Sequence, residues 1–164
     1  MALIYTVAYR SPLGQLTVAS DGKEVTGLWM EGQRHFPNMG QTADGSGIPA
    51  LQQAIAWLDG YFYAAEAQPP MPQLSLTGSA FQRKVWAALQ DIPYGCTRTY
   101  AQIAEAVTGS SGATRAVGNA IGRNPIAILI PCHRVVRAGG NLGGYAGGAD
   151  RKAFLLALEQ EKNK

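Results

Sequence analysis

The chain has few of the residues that build metal centres and cross-linked domains. Its 164 residues include two cysteines, Cys96 and Cys132, and two histidines, His35 and His133. Two cysteines do not make a disulfide framework, and no CxxC or clustered Cys/His spacing indicates a zinc site. His35 lies in a polar stretch, where an exposed side chain is expected. We therefore predict no bound metal.

Long hydrophobic runs are also missing. No segment approaches the ~18 consecutive apolar residues of a membrane-spanning helix, and the N-terminus lacks the charged and apolar regions of a signal peptide. The composition, 46% hydrophobic and 15% charged, is that of a folded chain. We expect one domain with at most a small subdomain, no membrane association, and a reducing cytoplasmic setting that keeps cysteine free.

Charge is unevenly distributed. Residues 1–78 carry three basic and six acidic side chains, whereas residues 79–164 carry eleven basic and five acidic ones. An excess of positive charge in one half is typical of nucleic-acid binding, although a generic basic surface is an equally good explanation of charge alone.

The two halves also differ in their predicted elements. Residues 1–77 predict an α/β scaffold subdomain, with three short antiparallel strands separated by turns and a helix over 49–63. The segment 31–48 is polar and predicts a loop. Residues 78–164 predict a mainly α-helical domain that begins with a helix over 79–89. This second domain contains the residues that suggest chemistry.

Two short helices, 99–107 and 113–123, are joined by a glycine-containing turn, which predicts a helix-turn-helix. Thr99 is the expected N-cap of the first helix. The second helix has a predicted core face consisting of Ala113, Ala116, Val117, Ala120 and Ile121.

The outer face of that second helix carries Arg115, Gly118, Asn119 and Gly122. Glycine costs about 1 kcal/mol in a helix interior, so two glycines on one face suggest that a ligand such as DNA approaches the backbone closely. Packing against another helix through small residues is the alternative. Arg115 has no acidic residue three or four positions away on its own helix to pair with.

Cys132 follows a dense apolar run, residues 126–130, and precedes His133 directly. Such a run is expected to bury the thiol, and a buried thiol needs a base to become a nucleophile. An inert core cysteine is as common an outcome for the residue taken alone. A last helix is predicted over 149–161 with Phe154, Leu155 and Leu158 facing inward. Glu159 lies four residues after Leu155, and His133 is its expected partner.

Together these residues resemble the O6-alkylguanine-DNA alkyltransferases, a family of single-use DNA repair proteins. The resemblance covers about half of the chain, from Gly78 to Glu159, and its Pro-Cys-His-Arg core is highly specific. The matching segments are Phe81–Trp86, Ile92–Gly95, Thr99–Tyr100, Arg115–Gly118, Arg123–Pro125 and Pro131–Val135, with Tyr145 and Glu159 at the expected distances after Cys132.

The resemblance implies the chemistry. Cys132 would accept the methyl group, and His133, oriented by Glu159 and acting through water, would take the thiol proton. Tyr100 would protonate or polarise the departing guanine. Arg115 would take the place of the extruded nucleotide in the base stack. No organic cofactor is implied.

The resemblance also implies how DNA is held. Double-stranded DNA containing O6-alkylguanine would be bound through its minor groove by a monomer, with Gly118 and Asn119 on the contacting helix. Asn124 would brace the link between this helix and the apolar run. The alkylguanine pocket would be lined by Tyr145, Ala146, Gly147 and Ala127. Some members have proline and serine where this chain has Ala127 and Ala146, so the range of bulky alkyl groups is open.

Three other functions fit parts of the pattern. A lesion binder without repair activity would lack the cysteine, which is present here. A helix-turn-helix transcription factor would place several long polar side chains on its recognition helix. A Cys-His hydrolase would need an oxyanion hole, which nothing in the sequence demands.

Overall fold

The computed structural model describes residues 3–63 and 69–162, without the side chain of Lys162. The chain forms two compact units, Met1–Leu76 and Thr77–Lys164. In the described ranges, no helix is long and apolar enough to cross a membrane.

The first unit is built on a four-stranded sheet with strand order β3-β2-β1-β4. Strands β1 (Tyr5–Ser11), β2 (Gly14–Ser20) and β3 (Val25–Met30) form the predicted antiparallel meander. Strand β4 (Ala43–Asp44) pairs with β1 in parallel and lies inside the segment predicted as a loop. Two residues are too short for a sequence pattern, which explains why this strand was not predicted.

Helix α1 (Pro49–Phe62) packs on this sheet and completes the first unit. Pro49 suits the first helical turn, where a backbone N–H has no partner within the helix. The helix buries apolar side chains such as Leu51 and Leu58, and the strands that it packs on bury Leu16 and Leu28. The first unit is therefore a sheet with one covering helix, as its pattern predicts.

Three helices form the core of the second unit: α2 (Ala80–Gln90), α3 (Tyr100–Thr108) and α4 (Thr114–Gly122). Ser79 and Thr99 cap α2 and α3 in reciprocal capping boxes, which confirms Thr99 as an N-cap. The indole of Trp86 donates a buried hydrogen bond of 2.8 Å to the carbonyl of Ala120 and so fixes α2 against α4.

Two segments that are far apart in the sequence are joined by a short strand pairing. Strand β5 (Arg98–Thr99), just before α3, pairs in parallel with β6 (Val135–Val136). A 3₁₀ turn, Cys132–Arg134, precedes β6, and helix α5 (Ala149–Lys162) packs on that turn. The start of α3 and the Cys132 turn are therefore neighbours, although about thirty residues separate them in sequence.

Two helix faces differ from their predictions. On α4, Val117, Ala120 and Ile121 are buried as predicted, but Ala116 is exposed. On α5, Leu155 is buried, whereas Phe154 is 40% exposed and its inward prediction was wrong. The buried face of α5 consists of Lys152, Leu155 and Glu159, because this helix packs on a turn that presents polar groups.

Candidate active site

Cys132 begins the 3₁₀ turn and is only 7% exposed. Its backbone N–H donates to the carbonyl of Ile130 across Pro131, which has φ −80° and ψ 63°. These angles are those of an inverse γ-turn. The chain is thus turned sharply just before the thiol, and the predicted burial of Cys132 is confirmed.

The apolar run that precedes Cys132 is a tight turn rather than an extended segment. Leu129 N–H donates to the Ala127 carbonyl at 2.8 Å, and the residue between them, Ile128, has φ 71°. Positive φ costs a β-branched residue of order 1–3 kcal/mol. The surrounding structure must therefore hold this turn in place.

Asn124 is the residue that holds the turn. Its Nδ2 donates to the Ile130 carbonyl at 2.9 Å, and its Oδ1 accepts from the Ile126 N–H at 3.0 Å. Both bonds are buried, and they join the two ends of the turn. Because Asn124 lies two residues after the end of α4, it links that helix to the run that leads to Cys132.

His133, Glu159 and Arg134 form a buried ionic cluster. His133 Nε2 lies 2.6 Å from Glu159 Oε2, and Arg134 Nε donates to Glu159 Oε1 at 2.7 Å. The exposed fraction is 0% for His133 and 1% for Glu159. Arg134 also donates to the Ile92 carbonyl at 2.8 Å and lies over the ring of Tyr94. The expected His133–Glu159 contact is present, together with an arginine that the sequence analysis did not assign.

The protonation states of this cluster follow from its geometry. Burial by itself would raise the pKa of Glu159, but the hydrogen bonds and charges of His133 and Arg134 outweigh it and lower the pKa to about 2. Burial lowers the pKa of His133, against the opposing effect of Glu159. The cluster is therefore an ionised carboxylate paired with Arg134 beside a neutral imidazole.

An ionised carboxylate can only accept a hydrogen bond, so Nε2 of neutral His133 must carry the proton that it donates to Glu159. The lone pair then lies on Nδ1. Nδ1 is buried, and the described residues offer it no hydrogen-bonding partner. His133 is thus a base whose basic atom is not consumed by the fold.

The thiol is unreactive on its own. Burial raises the pKa of Cys132 above its usual value, although a hydrogen bond from Asn124 and the positive charge of Lys152 partly oppose this effect. Near neutral pH the group is a thiol, and it becomes a nucleophile only when a base removes its proton.

Tyr100, the first residue of α3, lies against a glycine. Gly143 has φ 77°, and a Cβ there would lie 2.9 Å from the phenol of Tyr100. The hydroxyl donates to the Gly144 carbonyl at 3.3 Å. Burial, and then the charge of Cys132, raise the pKa of Tyr100, so the phenol keeps its proton. The backbone at Gly143 therefore approaches the ring of Tyr100 closely.

The remaining predicted pocket residues are found in two segments. Tyr145 is half-buried, but its hydroxyl oxygen is buried and has no hydrogen-bonding partner among the described residues. Burial raises its pKa well above the usual value, and the charge of Cys132 adds to the rise. Ala146 and Gly147 are half-buried beside it, and Ala127 is buried in the turn before Cys132. Buried polar atoms normally have partners, so the Tyr145 hydroxyl is available to a ligand.

The polar side chains on the outer face of α4 reach solvent. Arg115 and Asn119 are exposed, and within the described ranges no carboxylate pairs with Arg115. A Cβ on Gly118 would make only an ordinary contact, 3.8 Å from Tyr100, and a Cβ on Gly122 would meet nothing. Helix–helix packing therefore does not explain these two glycines.

Comparison with known families gives the same assignment for both units. Residues 80–161 match the family described as 6-O-methylguanine DNA methyltransferase, DNA binding domain, and residues 3–67 match 6-O-methylguanine DNA methyltransferase, ribonuclease-like domain. The chain belongs to the 6-O-methylguanine DNA methyltransferase family. The resemblance inferred from the sequence is confirmed.

Individual relatives are similar over most of their length. A methylated-DNA–protein-cysteine methyltransferase of Mycolicibacterium paratuberculosis is 50% identical, covering 92% of this chain and 88% of the relative. The constitutive one of Bacillus subtilis is 42% identical, covering 95% and 94%. The crystal structure of Mycobacterium tuberculosis OGT in complex with DNA has a TM-score of 0.83 and 44% identity, covering 97% of this chain and 93% of that one.

Three residues of the site were not assigned from the sequence of this family member. Arg134 belongs to the Pro-Cys-His-Arg motif. The expected burial of the Glu159 carboxylate indicated that a cationic partner was needed, and Arg134 could have been assigned from that signal. Lys152 lies three residues before Leu155 and seven before Glu159, which places it on the buried face of α5. Nothing in the sequence distinguishes Gly143 from the neighbouring Gly144, and only the fold shows that Gly143 contacts Tyr100. In the described ranges, no cluster of three or more His, Cys, Asp or Glu could hold a metal ion.

Proposed function

We propose that this protein repairs DNA as a methylated-DNA–protein-cysteine methyltransferase. It transfers the alkyl group, chiefly methyl, from O6-alkylguanine, and also from O4-alkylthymine, to the Sγ of Cys132. The observation that carries the proposal is a buried cysteine next to a neutral histidine, whose Nε2 is bound by Glu159 at 2.6 Å and whose Nδ1 remains available. Family membership supports the same reaction.

The proposed step is a direct displacement. Nδ1 of His133 takes the thiol proton through a water molecule, the sulfur attacks the methyl carbon, and the bond between that carbon and O6 breaks with its electron pair moving to the purine. Glu159, whose charge Arg134 balances, stabilises the imidazolium that forms. The departing guanine takes one proton, so the thiol proton is returned overall.

Tyr100 is the proposed donor to that guanine. Its raised pKa keeps the phenol protonated, and its position on α3 beside the β5–β6 pair sets it near the Cys132 turn. The hydroxyl of Tyr145 is proposed to bind the extruded base, with Ala127, Ala146 and Gly147 lining the pocket. The product, a thioether on Cys132, has no group nearby to cleave it, so each molecule acts once.

DNA binding is proposed through a helix-turn-helix formed by α3 and α4, with α4 in the minor groove. The exposed Arg115 would replace the flipped nucleotide in the stack, while Asn119 and Gly118 would contact the adjoining strand. Small residues on this face support a close approach of DNA to the backbone. Asn124 would transmit the position of α4 to the Cys132 turn.

The remaining assignments concern the whole protein. All proposed site residues come from one chain, so we propose a monomer without a cofactor. Residues 1–77 would be a scaffold domain and residues 78–164 the alkyl-transfer domain. Cys96 and Cys132 are free thiols, which favours a reducing cytoplasmic setting.

The direct test uses the full chain and a duplex with a single O6-methylguanine. Peptide mass spectrometry should find one added methylene mass on the peptide containing Cys132. The amount of modified protein should equal the amount of O6-methylguanine removed. The unreacted peptide containing Cys96 serves as the internal control. Repeated turnover, or methylation at Cys96 instead, would contradict the proposal.

A further inference from the structure

One buried cation has no role in the mechanism described above. Lys152, on α5, is 0% exposed, and lysine is almost never fully buried unless its ammonium is paired. No carboxylate in the described residues forms an ion pair with it. The reason for burying this charge must lie in what its ammonium contacts.

The ammonium joins α5 to the loop that contacts Tyr100. Nζ donates to the carbonyl of Leu142, and also to the carbonyl of Gly144 at 3.1 Å. These carbonyls flank Gly143, the residue against which the phenol rests. Nζ also lies 5.7 Å from the centre of the Tyr100 ring. One side chain thus fixes the loop and faces the ring of the proposed proton donor.

The same ammonium acts on the reactive thiol. Its charge lowers the pKa of Cys132, against the larger opposite effect of burial. Burial lowers the pKa of Lys152 itself to about 8, the charge of Cys132 opposes this, and Arg137 adds to it. The charged and titratable groups facing Lys152 are therefore Cys132, Arg137, His133 and Tyr100.

We propose that Lys152 is a positioning residue of alkyl transfer, which ties the loop carbonyls to α5 so that Gly143 seats Tyr100, and which stabilises the Cys132 thiolate by its charge. The proposal rests on the proposed function, because it assigns the residue to that reaction. It requires a positive charge at this position as well as a side chain that fills the space.

The first experiment compares Lys152→Met, Lys152→Arg and a control with the same charge loss, Lys23→Met, at an exposed lysine of the first unit. Iodoacetamide labelling of the Cys132 peptide across pH gives the pKa of the thiol without any alkylguanine. An opposite charge nearby shifts a pKa by about one unit or more. We therefore expect a rise of about one unit in Lys152→Met, and no change in Lys152→Arg or Lys23→Met.

Methyl transfer from duplex DNA is measured on the same proteins. Near neutral pH the rate constant of Lys152→Met should fall about tenfold, in step with the thiolate fraction, and the deficit should shrink as pH rises. Amide hydrogen exchange should increase in the segment 142–146 of this variant alone. Faster exchange with an unchanged thiol pKa would show a purely structural role and overturn the proposal.

A second experiment needs no change at Lys152. In protein labelled with ¹³C at the lysine side chains, Lys152 should titrate well below the exposed lysines, because its ammonium is buried against the loop carbonyls. A midpoint equal to that of the exposed lysines would overturn the proposal even if Lys152→Met does not fold. Absence of methyl transfer by the wild type is a separate result, and it would contradict the proposed function instead.

Discussion

The Cys132 turn and the outer face of α4 belong to the same unit but are organised in opposite ways. At the turn, Asn124, Arg134 and Glu159 are buried and bonded to other protein groups. On α4, Arg115 and Asn119 are exposed, and a Cβ on Gly118 or Gly122 would make no close contact. The chemical groups at the turn are therefore pre-organised by contacts within the fold, whereas the polar residues of the α4 face are exposed to solvent.

The largest effect is expected from removing the centre of the pre-organised region. Glu159→Ala leaves Arg134 and His133 buried without their shared carboxylate, and breaking a buried ion pair in this way costs about 3–5 kcal/mol. Chemical denaturation should show this loss in the free energy of unfolding. A variant as stable as the wild type would mean that the cluster is not a structural centre.

Acidification should weaken the same region without a mutation. The pKa of Glu159 is about 2 in the fold and near 4.5 otherwise, so its contribution is complete above pH 4.5 and is lost as pH falls towards 2. The shift corresponds to about 3 kcal/mol at most. The lowered pKa of His133 acts in the same direction, since its contribution is complete above pH 6.5 and is lost below it.

The pH effect is measured as the free energy of unfolding between pH 7 and pH 3. Glu159→Gln cannot titrate, so its curve should lack the lower stage of the loss, and subtracting the two curves removes the contributions of all other carboxyls. Parallel curves would show that Glu159 is not held ionised by the fold.

Arg115→Ala tests the outer face of α4. Because Arg115 has no ion-pair partner in the described part of the chain, the free energy of unfolding should change by less than about 0.5 kcal/mol. Repair of duplex DNA should fall by about tenfold or more, since flipping a base costs a few kcal/mol. Reaction with free O6-methylguanine base should stay the same. Equal losses with both substrates would exclude a role in base flipping.

The smallest and sharpest test uses two glycines. Gly143→Ala requires positive φ and a contact of 2.9 Å with Tyr100, so it should destabilise the protein by about 1 kcal/mol or more. Gly122→Ala meets no atom and should stabilise by about 0.4–1 kcal/mol. Thermal unfolding measures both, and shifts of the same sign would remove the distinction between the two regions.

Much of the site could be predicted because its signals are local. The adjacency of Cys132 and His133 is visible in the sequence, and helical periodicity places Glu159 on the buried face with Leu155. Tertiary contacts determined the rest. Residues 126–130 are apolar and partly β-branched, which favours an extended segment, but the side chain of Asn124 holds them in a turn with positive φ at Ile128.

The burial of two residues of α5 could not be predicted from the sequence. The burial of Lys152 runs against the strong general preference of lysine for solvent. Phe154 is exposed because α5 turns its face with Lys152 and Glu159 toward polar groups. The proposed roles of the individual site residues remain predictions, and the variants above test them.

The parallel pairing of β5 with β6 has a consequence for how such a protein can change. Since Thr99 is paired with Val136, the spacing between Tyr100 and Cys132 is set by the pairing and not by the intervening chain. The turn between α3 and α4 at residues 109–113 can therefore lengthen or change composition without moving the reactive groups apart.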